Sequence, residues 1–239
     1  MHAPVQPTQP VPPELLLSAY RAGIFPMADH RDDPDLFWVE PRQRAIIPLE
    51  SFQPSRSLRK AIRQDLYRVT CDGDFAGVIS ACAEPREEHA ESWISHRIEA
   101  SYLALHPCGH AHSFECWRDG ELVGGLYGVA FDRVFCGESM FSRADNASKV
   151  ALAWLVACMR SAGYLLLDCQ FMTDHLQRMG AVALAQERYV KLLKAARGDP
   201  LASLPEAWRA YASASGSGSS ADPASSPGKV IAQSFTQTS

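Results

Sequence analysis

Between residues 55 and 64 the apolar side chains Leu58, Ala61 and Ile62 recur at helical spacing, while Arg56, Arg59, Lys60 and Arg63 gather within about 60° of one another on the opposite side. This spacing predicts an amphipathic helix with one basic face. A shorter helix is expected over 14–22, stopped by Gly23 and the Ile24-Phe25-Pro26 corner. Ile94, Ile98, Tyr102 and Leu105 predict another over 95–108, with Gly109 placed to end it. Residues 111–117 and 122–130 read as strands around the hairpin signal Asp119-Gly120, and a third strand is expected over 134–137. Asp145 or Asn146 then caps a helix whose apolar positions 147, 150, 151, 154, 155, 158 and 159 make one broad stripe ending at Gly163. A strand over 164–168, a short helix from Asp174, a strand near 181–184 and a helix over 187–196 follow. This order of helix, three-strand meander, helix, strand, helix, strand predicts an α+β sandwich and excludes a regular Rossmann alternation.

Length and composition set the boundaries around this pattern. The 239 residues suit one full core with a small appendage, and 46% hydrophobic against 21% charged residues excludes a chain disordered throughout. A small N-terminal domain is expected over 1–44, with 1–13 disordered because it carries five prolines. The main domain is expected over 45–212, and a Ser- and Gly-rich disordered tail over 213–239. The longest uncharged apolar run, 150–159, falls well short of the roughly 20 residues a bilayer demands, so no membrane partner is expected and the location is read as cytoplasmic.

Net charge is −4, yet residues 41–70 hold seven basic groups (Arg42, Arg44, Arg56, Arg59, Lys60, Arg63 and Arg68) against Glu50 and Asp65. A local excess of five positive charges points to an anionic partner, nucleic acid first, with a solvated helix face as the alternative. Seven cysteines with no two closer than eight positions exclude a CxxC zinc ribbon and read as reduced, mostly buried thiols. His106, His110 and His112 fall on a helix, a turn and a strand, which gives no regular geometry for a metal, and none is expected.

Two strand ends carry polarity where it is costly. Alternation puts Asp168 and Gln170 on one side of their strand and Cys169 on the other, and Glu138 follows the apolar run Val134-Phe135-Cys136-Gly137. Such positions either cap strands or build binding sites.

Several long motifs in register weigh for a site. The runs Gly124-Gly125-Leu126-Tyr127-Gly128-Val129, Phe135-Cys136-Gly137-Glu138-Ser139-Met140-Phe141-Ser142, Asn146-Ala147-Ser148-Lys149 and Asp168-Cys169-Gln170 closely resemble the leucyl/phenylalanyl-tRNA–protein transferase family. The similarity begins at Ala19-Tyr20-Arg21 and runs through Trp93-Ile94 and His110-Ala111-His112-Ser113 to Gly180. One departure is Met27, where the family usually has Trp after Phe-Pro.

The resemblance implies a small N-terminal domain followed by a larger one of the acetyltransferase-like (GNAT) fold. It implies transfer of Leu or Phe, and sometimes Met, from aminoacyl-tRNA to the N-terminal Arg or Lys of a protein, marking it for degradation. Carried over by position, Trp93 and Tyr102 would contact the terminal adenosine, while Leu126, Phe135, Met140, Leu152, Leu155 and Leu167, with Ser142, would bind the aminoacyl end. Glu138, Asp168 and Gln170 would form the acceptor and catalytic site, and Arg56, Arg59, Lys60 and Arg63 would grip tRNA phosphates.

Aminolysis of an ester requires a placed, unprotonated amine and neither ATP nor metal, so no cofactor is expected. Within this scheme Asp168 would hold the α-ammonium and assist proton removal, directly or through Gln170, Gln170 would orient, Glu138 would attract the cationic acceptor side chain, and a monomer would suffice. Two other classes compete. An acetyl-CoA-dependent N-acetyltransferase would share the fold, but the nearest pyrophosphate-loop string, Gln177-Arg178-Met179-Gly180-Ala181-Val182, precedes a strand, whereas such loops open helices. A non-catalytic RNA-binding module would leave Glu138, Asp168 and Gln170 without purpose.

Overall fold

A computed structural model of the chain describes residues 9–85, 91–213 and 226–236. The expected basic helix is α2 (Arg56–Arg63), capped by the Ser55 hydroxyl, and the first helix is α1 (Pro13–Arg21). Between them lie a two-stranded ribbon, β1 (Phe25–Met27) with β2 (Phe37–Val39), and β3 (Gln43–Ile47). After α2 come β4 (Arg68–Cys71), α3 (Phe75–Ala83) and α4 (His96–Leu105). The meander is β5 (Ala111–Arg118), β6 (Glu121–Phe131) and β7 (Val134–Ser142). Asp119 and Gly120 both take positive φ at its first turn, as the hairpin signal requires.

The chain continues through α5 (Ala147–Ser161), β8 (Leu166–Gln170), α6 (Asp174–Arg178), β9 (Val182–Ala185) and α7 (Gln186–Ala195). It ends with α8 (Leu204–Ser213) and α9 (Pro227–Ser234). Seven strands form one mixed sheet in the order β4-β5-β6-β7-β8-β3-β9. Its single parallel pair is β7 with β8. The architecture is thus α+β, with helices on both faces of a mixed sheet.

One core lies under α5, where Leu152, Leu155 and Met159 pack with Leu58 and Ile62 of α2. The other lies under α1, α3, α4 and α7, where Leu16, Tyr20, Ile98, Tyr102 and Tyr189 meet Val134, Cys136 and Leu166.

The expected division at Arg44 falls inside β3, a strand of the main sheet between β8 and β9. Two expectations of disorder are corrected. Val11 is buried and donates its backbone N–H to Ser101 Oγ at 2.9 Å, which anchors the chain ahead of α1. Within 213–239, α9 buries Ile231, Ala232 and Phe235 in the first core, and Arg160 lies over the Phe235 ring at 5.0 Å. These apolar residues near the end of a polar stretch outweigh its Ser and Gly content once a groove between α2, α5 and α8 receives them. Residues 1–8, 214–225 and 237–239 lie outside the described residues.

Candidate active site

The two strands that carry Glu138 and Asp168 part company at the site. They pair only over Val134–Cys136 and Leu166–Asp168. Beyond that point β7 stays with β6, and β8 stays with β3. Each also skips a residue there. Gly128 pairs with Gly137 and Tyr127 with Ser139, leaving Glu138 as the bulged residue, while Ala45 pairs with Gln170 and Ile46 with Asp168, leaving Cys169. The first bulge shifts the alternation of β7, so that Met140 packs on the α5 side and Phe141 on the other. Gly128 lies opposite this bulge, where a Cβ would stand 2.2 Å from the Cys136 carbonyl oxygen.

The gap opens into a cleft of about 1130 Å³. Leu126, Met140, Leu152, Leu155 and Leu167 line its apolar part, and Trp93, Ser142, Glu138 and Gln170 also face it. Met27 lies on the same wall. Phe135 and Tyr102 do not: both are fully buried, Phe135 in the core under α5 and Tyr102 beneath Glu138. The contact with adenosine expected of Tyr102 is replaced by a hydrogen bond to the Glu138 carboxyl at 3.1 Å.

Glu138 sits on a polar floor. Tyr20 donates to its Oε1 at 2.7 Å, Tyr102 to its Oε2, and Gln170 Nε2 to its Oε1 at 2.9 Å. Burial pushes its pKa up to about 7, against the pull of the Tyr20 and Gln170 hydrogen bonds. With Nε2 committed to Glu138, Gln170 accepts no side-chain hydrogen bond at Oε1 among the described residues and faces the cleft. Its backbone is in the left-handed region, φ +61°, held there by a 2.9 Å bond from its N–H to Asp168 Oδ1.

Asp168 is 0% exposed and fully engaged. Arg44 Nε donates to Oδ1 at 2.9 Å, Arg44 Nη2 to Oδ2 at 2.6 Å, and Tyr189 to Oδ2 at 3.0 Å. Burial opposes the Arg44 charge, but the Asp168 carboxylate outweighs it and holds the guanidinium above its usual pKa. Its remaining nitrogen reaches the Gly23 carbonyl at 3.1 Å, and its plane lies over Phe25 and Tyr189. No oxygen of Asp168 is free for an incoming ammonium. This corrects the direct contact expected of it, and leaves Asp168 as the anchor of Gln170.

The basic helix keeps its face. Arg56, Lys60 and Arg63 are exposed, Arg59 is half-buried and bonds Gln53, and Leu58, Ala61 and Ile62 are buried. Arg44 counted in the local charge but is neutralised inside. The three histidines are engaged with protein acceptors: His106 and His110 with the carbonyls of Ala111 and Ala130, and His112 with Asp72 and the Gly109 carbonyl. Tyr20, Arg44 and Tyr189 escaped the sequence reading as site residues. Tyr20 stood within a quoted motif and Arg44 within the charge excess, but periodicity assigns neither a partner more than 100 residues away.

Residues 46–194 match the family described as leucyl/phenylalanyl-tRNA protein transferase, and residues 11–42 match that family's N-terminal domain. The chain belongs to the leucyl/phenylalanyl-tRNA–protein transferase family. A transferase of that name from Novosphingobium aromaticivorans is 54% identical over 96% of this chain and 97% of its own length. Another from Rhizorhabdus wittichii is 56% identical over 79% of this chain and 76% of its own. Among solved structures, one described as L-PGS from Bacillus licheniformis aligns over 69% of this chain and 55% of its own at TM-score 0.35 and 13% identity. Among the described residues no helix of this transferase is long and apolar enough to cross a membrane.

Proposed function

We propose that the protein moves Leu or Phe, and sometimes Met, from aminoacyl-tRNA to the N-terminal Arg or Lys of acceptor proteins, marking them for degradation. Family membership supports the reaction class, and one observation supports the residues: Glu138 and Gln170 meet at the gap between β7 and β8, beside an apolar cleft. That splayed pair of parallel strands also supports the acetyltransferase-like (GNAT) description of the main domain. The residues this scheme uses all come from one chain, which suits a monomer, and the reaction belongs in the cytoplasm, where aminoacyl-tRNA is made.

In this scheme Leu126, Met140, Leu152, Leu155 and Leu167 receive the aminoacyl side chain, and Trp93 stacks on the terminal adenosine. Glu138, ionised, draws in the cationic side chain of the acceptor. Gln170 Oε1 accepts a hydrogen bond from the acceptor amine and orients its lone pair; a neutral amide is not a base, so its part is placement. The amine attacks the ester carbonyl, a C–N bond forms, and the C–O bond to the tRNA ribose breaks. The proton lost by the amine ends on the departing ribose oxygen. Asp168 and Arg44 act from behind by fixing the backbone of Gln170.

The test is incubation with labelled Leu-tRNA and a peptide beginning with Arg, with acetyl-CoA as competing donor. Leucylated peptide is the expected product. Acetylated peptide with no leucylation would select the N-acetyltransferase, and tRNA binding without either product would select the RNA-binding module. Reversing Arg56, Lys60 and Arg63 to Glu should weaken aminoacyl-tRNA binding and flatten its log–log salt dependence by roughly one unit for each phosphate left unneutralised. Because these side chains are exposed, thermal stability should stay near wild type. Unchanged affinity and slope would return them to a solvated helix face.

A further inference from the structure

We infer that the polar end of the cleft, where Ser148 opens α5, is a subsite for a phosphodiester of the acyl donor, the one joining its last two nucleotides. This rests on the transferase reading above and assigns residues that reading does not use. Ser148, Leu152 and Leu155 fall on one stripe of α5 at i, i+4 and i+7 and all face the cleft. Over that stripe, about 10 Å long, the lining changes from leucine to hydroxyl.

Ser148 is 6% exposed and lies on the cleft wall, its N–H bonds Ser142 Oγ at 3.3 Å, and its hydroxyl makes no bond to protein among the described residues. A hydroxyl open to a cleft with no protein partner has a donor to offer a ligand. It stands in the first turn of a 15-residue helix, the end whose dipole favours negative charge.

The surroundings carry the matching sign. Lys149 follows Ser148, and His175 and Arg178 of α6 line the cleft. Burial and then the positive charges of Lys149 and Arg178 lower the pKa of His175. Among the described residues Lys149 is tied only by a 3.5 Å contact to Asn146 Oδ1, and Arg178 Nε bonds the Asp174 backbone carbonyl at 3.1 Å, leaving both with donors to give. Arg143, also on the wall, is engaged by Glu84, and the other carboxylates of the lining are Asp174 and Glu138.

The ligand chemistry follows from spacing. An acyl side chain seated by Leu152 and Leu155 is separated from the 5′ phosphate of its own nucleotide by an ester and a ribose, a span of about 10 Å, the same as the stripe. A carboxylate or free phosphate would meet the donors but would not be tethered at that distance.

The experiment measures binding of two stable analogues. One is 3′-deoxyadenosine carrying phenylalanine on a 3′-amide, and the other adds a methyl phosphodiester to its 5′ oxygen. Wild-type protein should bind the phosphodiester form about tenfold or more tightly, the scale of one charge-assisted hydrogen bond. That advantage should weaken with salt and fall to about twofold or less in Ser148→Ala and in Lys149→Ala. Equal affinities in wild type, or an advantage that survives both substitutions, would overturn the proposal. Lys149 is only half-buried, so its variant keeps the test valid if Ser148→Ala folds poorly. Transfer from Leu-tRNA is assayed alongside. A phosphate advantage without transfer would leave the subsite standing and remove the transferase reading; transfer without the advantage would do the reverse.

Discussion

Asp168→Asn is expected to lower folding stability by about 3–5 kcal/mol, because it strands the Arg44 guanidinium, charged and sealed from water, without a counter-ion. Both side chains are 0% exposed, and the carboxylate binds Arg44 through three contacts of 3.1 Å or less. Asn offers one acceptor oxygen in place of two and cannot satisfy Arg44, Tyr189 and the Gln170 N–H together. Urea unfolding should show the loss as a lower midpoint with an unchanged slope. A second variant separates stability from placement. In Arg44→Met/Asp168→Leu the buried charges are removed as a pair, a change that commonly restores stability. Transfer per folded molecule should nevertheless stay depressed by about 10²-fold, since the Gln170 N–H has no acceptor and the backbone is free to leave its left-handed conformation. Recovery of both stability and rate would reduce Asp168 to a structural ion pair.

Glu138→Gln should lower kcat/KM for a peptide beginning with Arg by about 10²-fold at pH 8, the scale of a desolvated charge pair. The loss should fall mainly on the peptide KM, with Leu-tRNA affinity near wild type. Its pH dependence supplies the sharper signature. The carboxyl titrates at about 7, so the wild-type advantage over Glu138→Gln should grow as pH rises through 7 and level off above it. Titration of the acceptor α-amine is common to both proteins and cancels in the ratio. Stability should move the opposite way. The folded pKa is raised above 4.5, so from about pH 4.5 to about 7 the folded state keeps a proton that the unfolded chain has released, and this group's contribution falls as pH rises. Glu138→Gln removes that slope. A wild-type to variant ratio flat between pH 6 and pH 8 would take Glu138 out of acceptor recognition.

Much of the frame was legible in the amino-acid sequence, because it rests on local rules. The two-sided pattern of 55–64 specified α2 and its basic face, Asp119-Gly120 specified the β5–β6 turn, and the stripe from 147 to 159 specified α5. Helical spacing alone put Leu152 and Leu155 on one face, and alternation put Asp168 and Gln170 opposite Cys169, which packs toward the core under α5. Among the short strands, β8 and β9 were legible as runs set between helices, whereas β1, β2, β3 and β4, three to five residues each, stand beside loops and prolines or between helices without a pattern of their own. Helix α9 was hidden by the polar stretch around it.

What only the tertiary structure decided is how distant residues meet. The bulges at Glu138 and Cys169 come from the pairing of whole strands, and the first moved Met140 to the face that α5 covers, against simple alternation along β7. Arg44 read as surface charge until β3 came to lie beside β8 and brought it to Asp168, 124 residues away. Tyr102 and Phe135 carried the right chemistry for a binding wall, yet burial placed one beneath Glu138 and the other in the core. Periodicity reports which side of an element a residue occupies; which charges end without water, and so must find each other, is fixed by the layers that close over them.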